Sequence, residues 1–191
     1  MKLILASASA RRSDLLRMAG IPFEAFPADV DETPRRGEAP PALVKRLAAE
    51  KARAVAKGLR EDSMVIAADT EVVLDGRVFG KPSTPHDAAE MLRTLSGKTH
   101  DVITGLALMR VPRGEMGVEL EETRVTCASL SDEEIARYVA SGEPMGKAGA
   151  YAIQGRAGVF ITRIEGCYYN VMGLPLSRLY RMLREMGWSG T

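Results

Sequence analysis

The stretch "MVIAADTEVVLDGRVF", Met64–Phe79, carries two structural signals that meet at one acidic residue. Its opening run, "MVIAA", is apolar without interruption, the pattern of a strand covered on both faces. That strand is expected to end at Asp69. Immediately beyond it, "EVVLDGRVF" sets Asp75–Gly76 between β-rich flanks, which predicts a two-residue hairpin. A buried strand feeding a hairpin argues against a wholly parallel sheet.

Outward from this point the elements alternate. "KLILA" reads as a short buried strand, followed by a helix capped by Ser7 or Ser9 that runs to about Met18, with Gly20 near its C′ position. "FEAFPA" reads as a second strand leading into the acidic loop "DVDETPRRGE", and a long helix follows from about Pro41 to Lys57. On the other side, "STPHDAAEMLRTLSG" has a capping Ser or Thr, Pro85 in its first turn and Gly97 as a stop. "HDVITGLALMRV" and "ELEETRVTCASL" predict a hairpin across "PRGEMG". "SDEEIARYVASG" opens with Ser131 and Glu134 at the spacing of a capping box. The last third is Gly-rich until "LPLSRLYRMLREMG", where Pro175 suits the first turn of a final helix. Helices alternating with strands, interrupted by hairpins, predict an α/β fold with a mixed sheet flanked by helices.

Composition limits the function classes. A chain of 191 residues with 46% apolar and 27% charged content suits one soluble domain with room for two lobes. The 26 basic and 25 acidic residues nearly cancel, so a broad basic face for nucleic acid is not expected and anion binding must be local. Cys127 and Cys167 form no CxxC and no Cys/His cluster, which predicts reduced thiols rather than a zinc site or a disulfide framework. The N-terminal "MKLILASASA" resembles a secretory signal, but its apolar run, Leu3 to Ala6, is short of the ~7–15 residues such a signal needs. No segment approaches the ~20 apolar residues of a membrane span. A cytoplasmic protein without a membrane partner is expected.

Three groups of residues point to chemistry. In "LASASARRSDLL", Arg11 and Arg12 stand in the first helical turn, where the helix dipole disfavours cations by roughly 0.3–1 kcal/mol each. Arg12 precedes Leu15, Leu16 and Ala19 by three, four and seven residues and so shares their inward face. A Ser-rich turn, exposed helix amides and guanidinium groups together make an anion cradle, although two solvated arginines would also fit. Lys51 lies on the apolar stripe of Val44, Leu47, Ala48 and Val55, so it either snorkels outward or is aimed at a buried anion. Asp69 can hold a divalent metal or accept a proton from an attacking water, and Glu32 in "DVDE" could share the metal or simply be solvated. Lys81 in "GKP" adds another cation, with no GxxxxGK[ST] loop anywhere in the chain. In "GKAGAYAIQGRAG" glycines surround Gln154, whose amide can read a base edge; turn requirements alone would also explain the glycines. His86 and His100 accompany no GxSxG nucleophile, which argues against a triad hydrolase. Inward-directed cations, a strand Asp and a second acid suit a metal-bound triphosphate attacked by water.

The chain resembles the Maf family of nucleoside triphosphate pyrophosphatases along nearly its whole length, through "LASASARRSDLL", "DVDE", "RLAAEKA", "AADTEVVLDGRVFGKP", "AAEMLRTLSGKTHDVITG", "GKAGAYAIQG" and "NVMGLPL" in order. Ala10 stands where the family usually has Pro, and alanine is compatible with a first-turn position. The resemblance implies a single Maf-like domain over 1–191, with two lobes around a central cleft in a fold similar to that of inosine triphosphatases. It implies hydrolysis between the α- and β-phosphates, releasing monophosphate and pyrophosphate with a divalent cation, Mg²⁺ or Mn²⁺. By the same resemblance Asp69 matches the catalytic proton acceptor, and Ser7, Arg11, Arg12, Glu32, Lys51 and Lys81 match the other polar site positions; we assign Ser7 and the four cations to substrate binding, and Glu32 with Asp69 to the metal. Arg12, Thr70 and Gln154 agree with the branch acting on dTTP and UTP rather than on 7-methyl-GTP. Modified pyrimidine nucleotides are further candidate substrates, and a housecleaning role is implied. A homodimer is compatible with the resemblance. The alternatives are a nucleotide-binding regulator of cell division with little turnover, and a nucleotidyl transferase that needs a second acceptor.

Overall fold

The computed structural model describes residues 1–190. The elements in chain order are β1 (Lys2–Leu5), α1 (Ala10–Met18), β2 (Glu24–Ala25), α2 (Pro40–Ala56), β3 (Ser63–Leu74), β4 (Arg77–Phe79), α3 (Pro85–Leu95), β5 (Thr99–Val111), β6 (Met116–Cys127), α4 (Asp132–Ala140), β7 (Ile161–Glu165), α5 (Tyr168–Val171) and α6 (Leu176–Glu185). The chain divides into two compact units. The first contains Met1–Asp69, Thr104–Glu121 and the stretch from Gly173 on; the second contains Thr70–Ile103 and Glu122–Met172. The long strands β3, β5 and β6 each contribute residues to both units.

In the first unit, β1 pairs in parallel with both β2 and β3, and the strand order is β2-β1-β3-β5-β6. Helix α2 covers these strands with Ala48, Ala52 and Ala56, small side chains at a spacing of four that share one core with Ile4, Val65, Ala67 and Ala107. Small residues permit close approach. The approach is closest at Gly105, where a Cβ would lie 2.2 Å from the carbonyl oxygen of Val44. Gly105 therefore sets how deeply α2, and with it Lys51, settles on the sheet.

In the second unit, β4 pairs antiparallel with β3 through the predicted hairpin, in which Asp75 and Gly76 both adopt positive φ, 51° and 77°. Strand β7 pairs antiparallel with β6. Val72, Leu92, Val102, Val125, Ile135 and Tyr151 belong to one buried cluster beneath α3 and α4. Both helices carry reciprocal capping boxes, Thr84 with Asp87 and Ser131 with Glu134, each satisfying two otherwise orphaned amides. Parallel and antiparallel pairs together make the expected mixed α/β sheet.

Several boundaries differ from the sequence reading. Strand β3 does not end at Asp69 but continues to Leu74, because "TEVVL" is itself strand-forming and is paired by β4. Strand β2 is only two residues long, since Pro22 and Pro27 flank it and remove amide donors. The Gly-rich third contains β7 and the short α5. Pro175 is the residue that caps α6, one position ahead of its first turn.

Candidate active site

The first unit builds its site from a helix start, an acidic loop and a strand. Ser9 caps α1 through the amide of Arg12, and no acidic residue stands in that first turn. The Arg12 guanidinium turns inward as its helical position requires. Its Nε donates to the carbonyl of Gly173 at 2.9 Å, and one terminal nitrogen donates to Ser7 Oγ at 3.2 Å. Ser7 Oγ also accepts from the Ser9 amide at 3.2 Å, so one hydroxyl ties the turn to the arginine. Burial lowers the pKa of Arg12; Asp69 and Glu32 oppose that shift and Arg11 adds to it, which places all three within electrostatic reach.

Lys51 does not snorkel. It is 8% exposed, and its ammonium donates to Asp69 Oδ1 at 2.6 Å and meets Glu32 Oε1 at 2.5 Å. An ammonium has three donors, so this arrangement leaves capacity for one further acceptor. Asp69 is also buried, and its second oxygen, Oδ2, has no hydrogen-bond partner among the described residues. A buried carboxylate oxygen without a donor is costly unless a ligand, water or ion completes it. Glu32 is half exposed and reaches the same ammonium from the loop before α2.

That loop is fixed by a second ion-pair group. Arg46 on α2 grips Glu38 through two bonds of 2.6 and 2.7 Å, reaches Glu50 at 3.0 Å and donates to the carbonyl of Thr33 at 3.2 Å. The Thr33 amide in turn donates to Asp31 Oδ1 at 2.9 Å, so the residues on both sides of Glu32 are tied down. The bonds from Arg46 and from the Arg35 amide hold the Glu38 carboxyl down at about 2. Sequence reading passes over this group because Arg46 and Glu38 look like ordinary surface charges.

A divalent cation fits the chemistry here. Asp69 and Glu32 offer hard oxygen donors; Oδ1 of the one and Oε1 of the other meet at the Lys51 ammonium, and Asp69 Oδ2 is an open acceptor. No group of three or more His, Cys, Asp or Glu residues suited to a metal occurs among the described residues. Magnesium-type ions commonly use one or two carboxylates and complete their shell with substrate phosphates and water.

The structure thus brings Ser7, Arg12, Glu32, Lys51 and Asp69 together, with Arg11 beside them on α1. Thr70, Lys81 and Gln154 belong to the second unit. Thr70 is half-buried on β3, Lys81 is exposed just beyond β4, and Gln154 is exposed after three buried residues, Tyr151 to Ile153. Ala150 in this segment adopts a left-handed φ of 60° although it is not glycine, a conformation that costs roughly 1–2 kcal/mol. Two side-chain pairs of this unit were not expected: His100 Nε2 meets the Tyr151 hydroxyl at 2.8 Å, and the Tyr138 hydroxyl donates to Glu143 at 2.9 Å. Burial pushes His100 down to about 4 and raises Tyr151.

Comparison with known proteins bears on the family and the fold. The family described as Maf-like protein matches residues 2–186. A dTTP/UTP pyrophosphatase of Pelotomaculum thermopropionicum is 55% identical over 188 residues, 98% of each chain. The dTTP/UTP pyrophosphatase of Koribacter versatilis is 55% identical over 187 residues, 98% of this chain and 95% of the other. The solved Ham1 protein of Staphylococcus aureus covers 97% of this chain and 100% of its own, with a TM-score of 0.52 at 16% identity, a likeness of fold alone.

Proposed function

The chain belongs to the Maf family, and from that premise we propose that it hydrolyses dTTP and UTP between the α- and β-phosphates, a reading supported by relatives named dTTP/UTP pyrophosphatase. Residues 1–191 act as one nucleotide-hydrolysing domain in this reading, supported by a family match that runs through both units. The carrying observation is Asp69: buried, fixed through Oδ1 by Lys51, and presenting an unpartnered Oδ2 in a cluster that includes Arg12.

Lys51 holds the Asp69 carboxylate so that Oδ2 accepts the proton of a water attacking the α-phosphorus. The bond from that phosphorus to the bridging oxygen breaks, and pyrophosphate leaves with the electron pair. Arg12, pre-oriented by Ser7 and the Gly173 carbonyl, donates to phosphate oxygens without having to reorganise. Arg11 and Lys81 add cations that offset charge developing on the leaving pyrophosphate. Glu32 and Asp69 would hold Mg²⁺ or Mn²⁺, which supplies charge neutralisation on the phosphate oxygens. Gln154 reads the pyrimidine edge, and Thr70 and Arg12 complete the preference for dTTP and UTP, with modified pyrimidine nucleotides as further substrates.

Such an activity would remove unwanted nucleotides from the cytoplasmic pool. The free Cys127 and Cys167 suit a reducing compartment, and no helix among the described residues is long and apolar enough to cross a membrane. The relatives' names favour hydrolysis over the regulatory alternative. Incubation of the protein with Mg²⁺ or Mn²⁺ and a panel of nucleoside triphosphates tests the proposal. Pyrophosphate release from dTTP and UTP but not from 7-methyl-GTP is expected; tight nucleotide binding without release would revive the regulatory reading.

A further inference from the structure

Gln154 sits at the tip of a short excursion between buried anchors. Tyr151, Ala152 and Ile153 are buried, Gln154, Gly155 and Arg156 are exposed, and Ala157 is buried again. The tip turns on two backbone bonds, from the Gly155 amide to Ala152 and from the Gly158 amide to Gly155, each 3.0 Å. These bonds shape the turn but do not fix it to the rest of the unit.

One side chain does. Glu143 Oε2 accepts from the Arg156 amide at 3.1 Å, and Oε1 accepts from the Ala157 amide at 3.4 Å and from the Tyr138 hydroxyl at 2.9 Å. The same hydroxyl accepts from the Ala152 amide at 3.1 Å. The chain on both sides of Gln154 is therefore tied to one carboxylate, directly on the far side and through Tyr138 on the near side. Glu143 is itself held, since Lys147 Nζ donates to its carbonyl at 2.5 Å. Contact with the tip is so close that a Cβ on Gly155 would fall 2.4 Å from Glu143 Oε1. Two oxygens with several lone pairs suit three donors arriving from different directions, a task no neutral side chain performs as well. Burial raises the Glu143 pKa, but the bonds from Arg156, Tyr138 and Ala157 outweigh it and hold the carboxyl below its usual range.

We propose that Glu143 is a positioning residue for Gln154, and that this clamp sets the protein's discrimination among nucleotide bases. The inference rests on the reading of Gln154 as the base-reading residue. Glu143 touches no substrate; it acts by holding the amides that flank the side chain that does.

The test uses the intact protein and the variants Glu143→Ala, Glu143→Gln and Gly155→Ala. Steady-state hydrolysis of dTTP, UTP and dCTP is measured beside hydrogen exchange of the amides at 154–157. Glu143→Ala should raise KM for dTTP and UTP about tenfold, leave kcat within about twofold and narrow the preference over dCTP. Its Arg156 and Ala157 amides should exchange faster while those of α3 and β5 stay protected. Glu143→Gln retains one acceptor oxygen and should fall between wild type and Glu143→Ala. Gly155→Ala attacks the same contact from the tip and should reproduce the KM change with Glu143 intact. A lower Tm with unchanged KM and unchanged base preference would make Glu143 merely structural and overturn the proposal. Unchanged exchange at Arg156 and Ala157 would overturn it as well. A wild-type protein that hydrolyses no nucleoside triphosphate overturns the function proposed above instead, and the exchange data then decide the clamp alone.

Discussion

In the first unit, Asp69 is fixed by a single buried ammonium that also receives Glu32, whereas in the second unit the segment carrying Gln154 is held through its backbone amides, which the Glu143 carboxylate accepts. The first arrangement is electrostatic and concentrated: two carboxylates converge on Lys51, and removing the cation leaves two acids facing each other. The second is geometric and distributed over Tyr138, Glu143, Gly155 and the left-handed Ala150. Chemistry on a polyanion needs charge at a fixed point, while reading a neutral base needs shape. The two units should therefore fail differently when perturbed.

The largest effect is expected at Asp69. Asp69→Asn keeps the size of the side chain but removes the proposed proton acceptor, so kcat should fall about 10²–10⁴-fold while nucleotide binding persists. Near-normal turnover would remove the basis of the comparison. Next comes Lys51. Breaking a buried ion pair from one side typically costs about 3–5 kcal/mol, and the half-exposed Glu32 places Lys51→Met near the lower end. Urea denaturation measures the loss. The double variant Lys51→Met/Asp69→Asn should recover part of it, since the stranded buried charge is then gone.

The second unit should titrate in its own window. His100 is 2% exposed and its folded pKa is about 4, below the ordinary 6.5, so the unfolded chain binds more protons between these values. Stability is then fully present above about pH 6.5 and is lost as pH falls toward 4, by an amount on the order of 2–3 kcal/mol. His100→Gln should flatten that limb of the stability curve. Gln154→Ala comes next in size: KM for dTTP should rise about tenfold with kcat nearly unchanged, the reverse of the Asp69 pattern.

The smallest effect belongs to the Arg46–Glu38 clamp. Glu38 has a folded pKa of about 2 against an ordinary 4.5, so its contribution is present above pH 4.5 and disappears as pH falls toward 2. Arg46→Ala should remove this acid limb without touching the one due to His100, which separates the two units in a single pH series.

Local patterns made much of this legible. The Ser9 cap, the two capping boxes and the Asp75–Gly76 hairpin are short-range devices whose partners lie within a few residues. The inward aim of Arg12 followed from helical periodicity, and its acceptor proved to be Gly173, a backbone carbonyl 161 residues away that leaves no mark in side-chain chemistry. The position of Lys51 on an apolar stripe posed the right question, but its answer required pairing with Asp69, 18 residues on. The continuation of β3 past Asp69 was missed because "MVIAA" and "TEVVL" carry different patterns, fully buried and then half-buried, within one strand. Glu143 was missed because its acceptor role serves backbone amides, which every residue but proline carries.

The most direct test of the account follows oxygen from water into product. Hydrolysis of dTTP by the wild-type protein in ¹⁸O-water, read by ³¹P NMR, should give dTMP carrying the label and unlabelled pyrophosphate, as the proposed attack of water on the α-phosphorus requires. Label in pyrophosphate, or dTDP and inorganic phosphate as products, would contradict it.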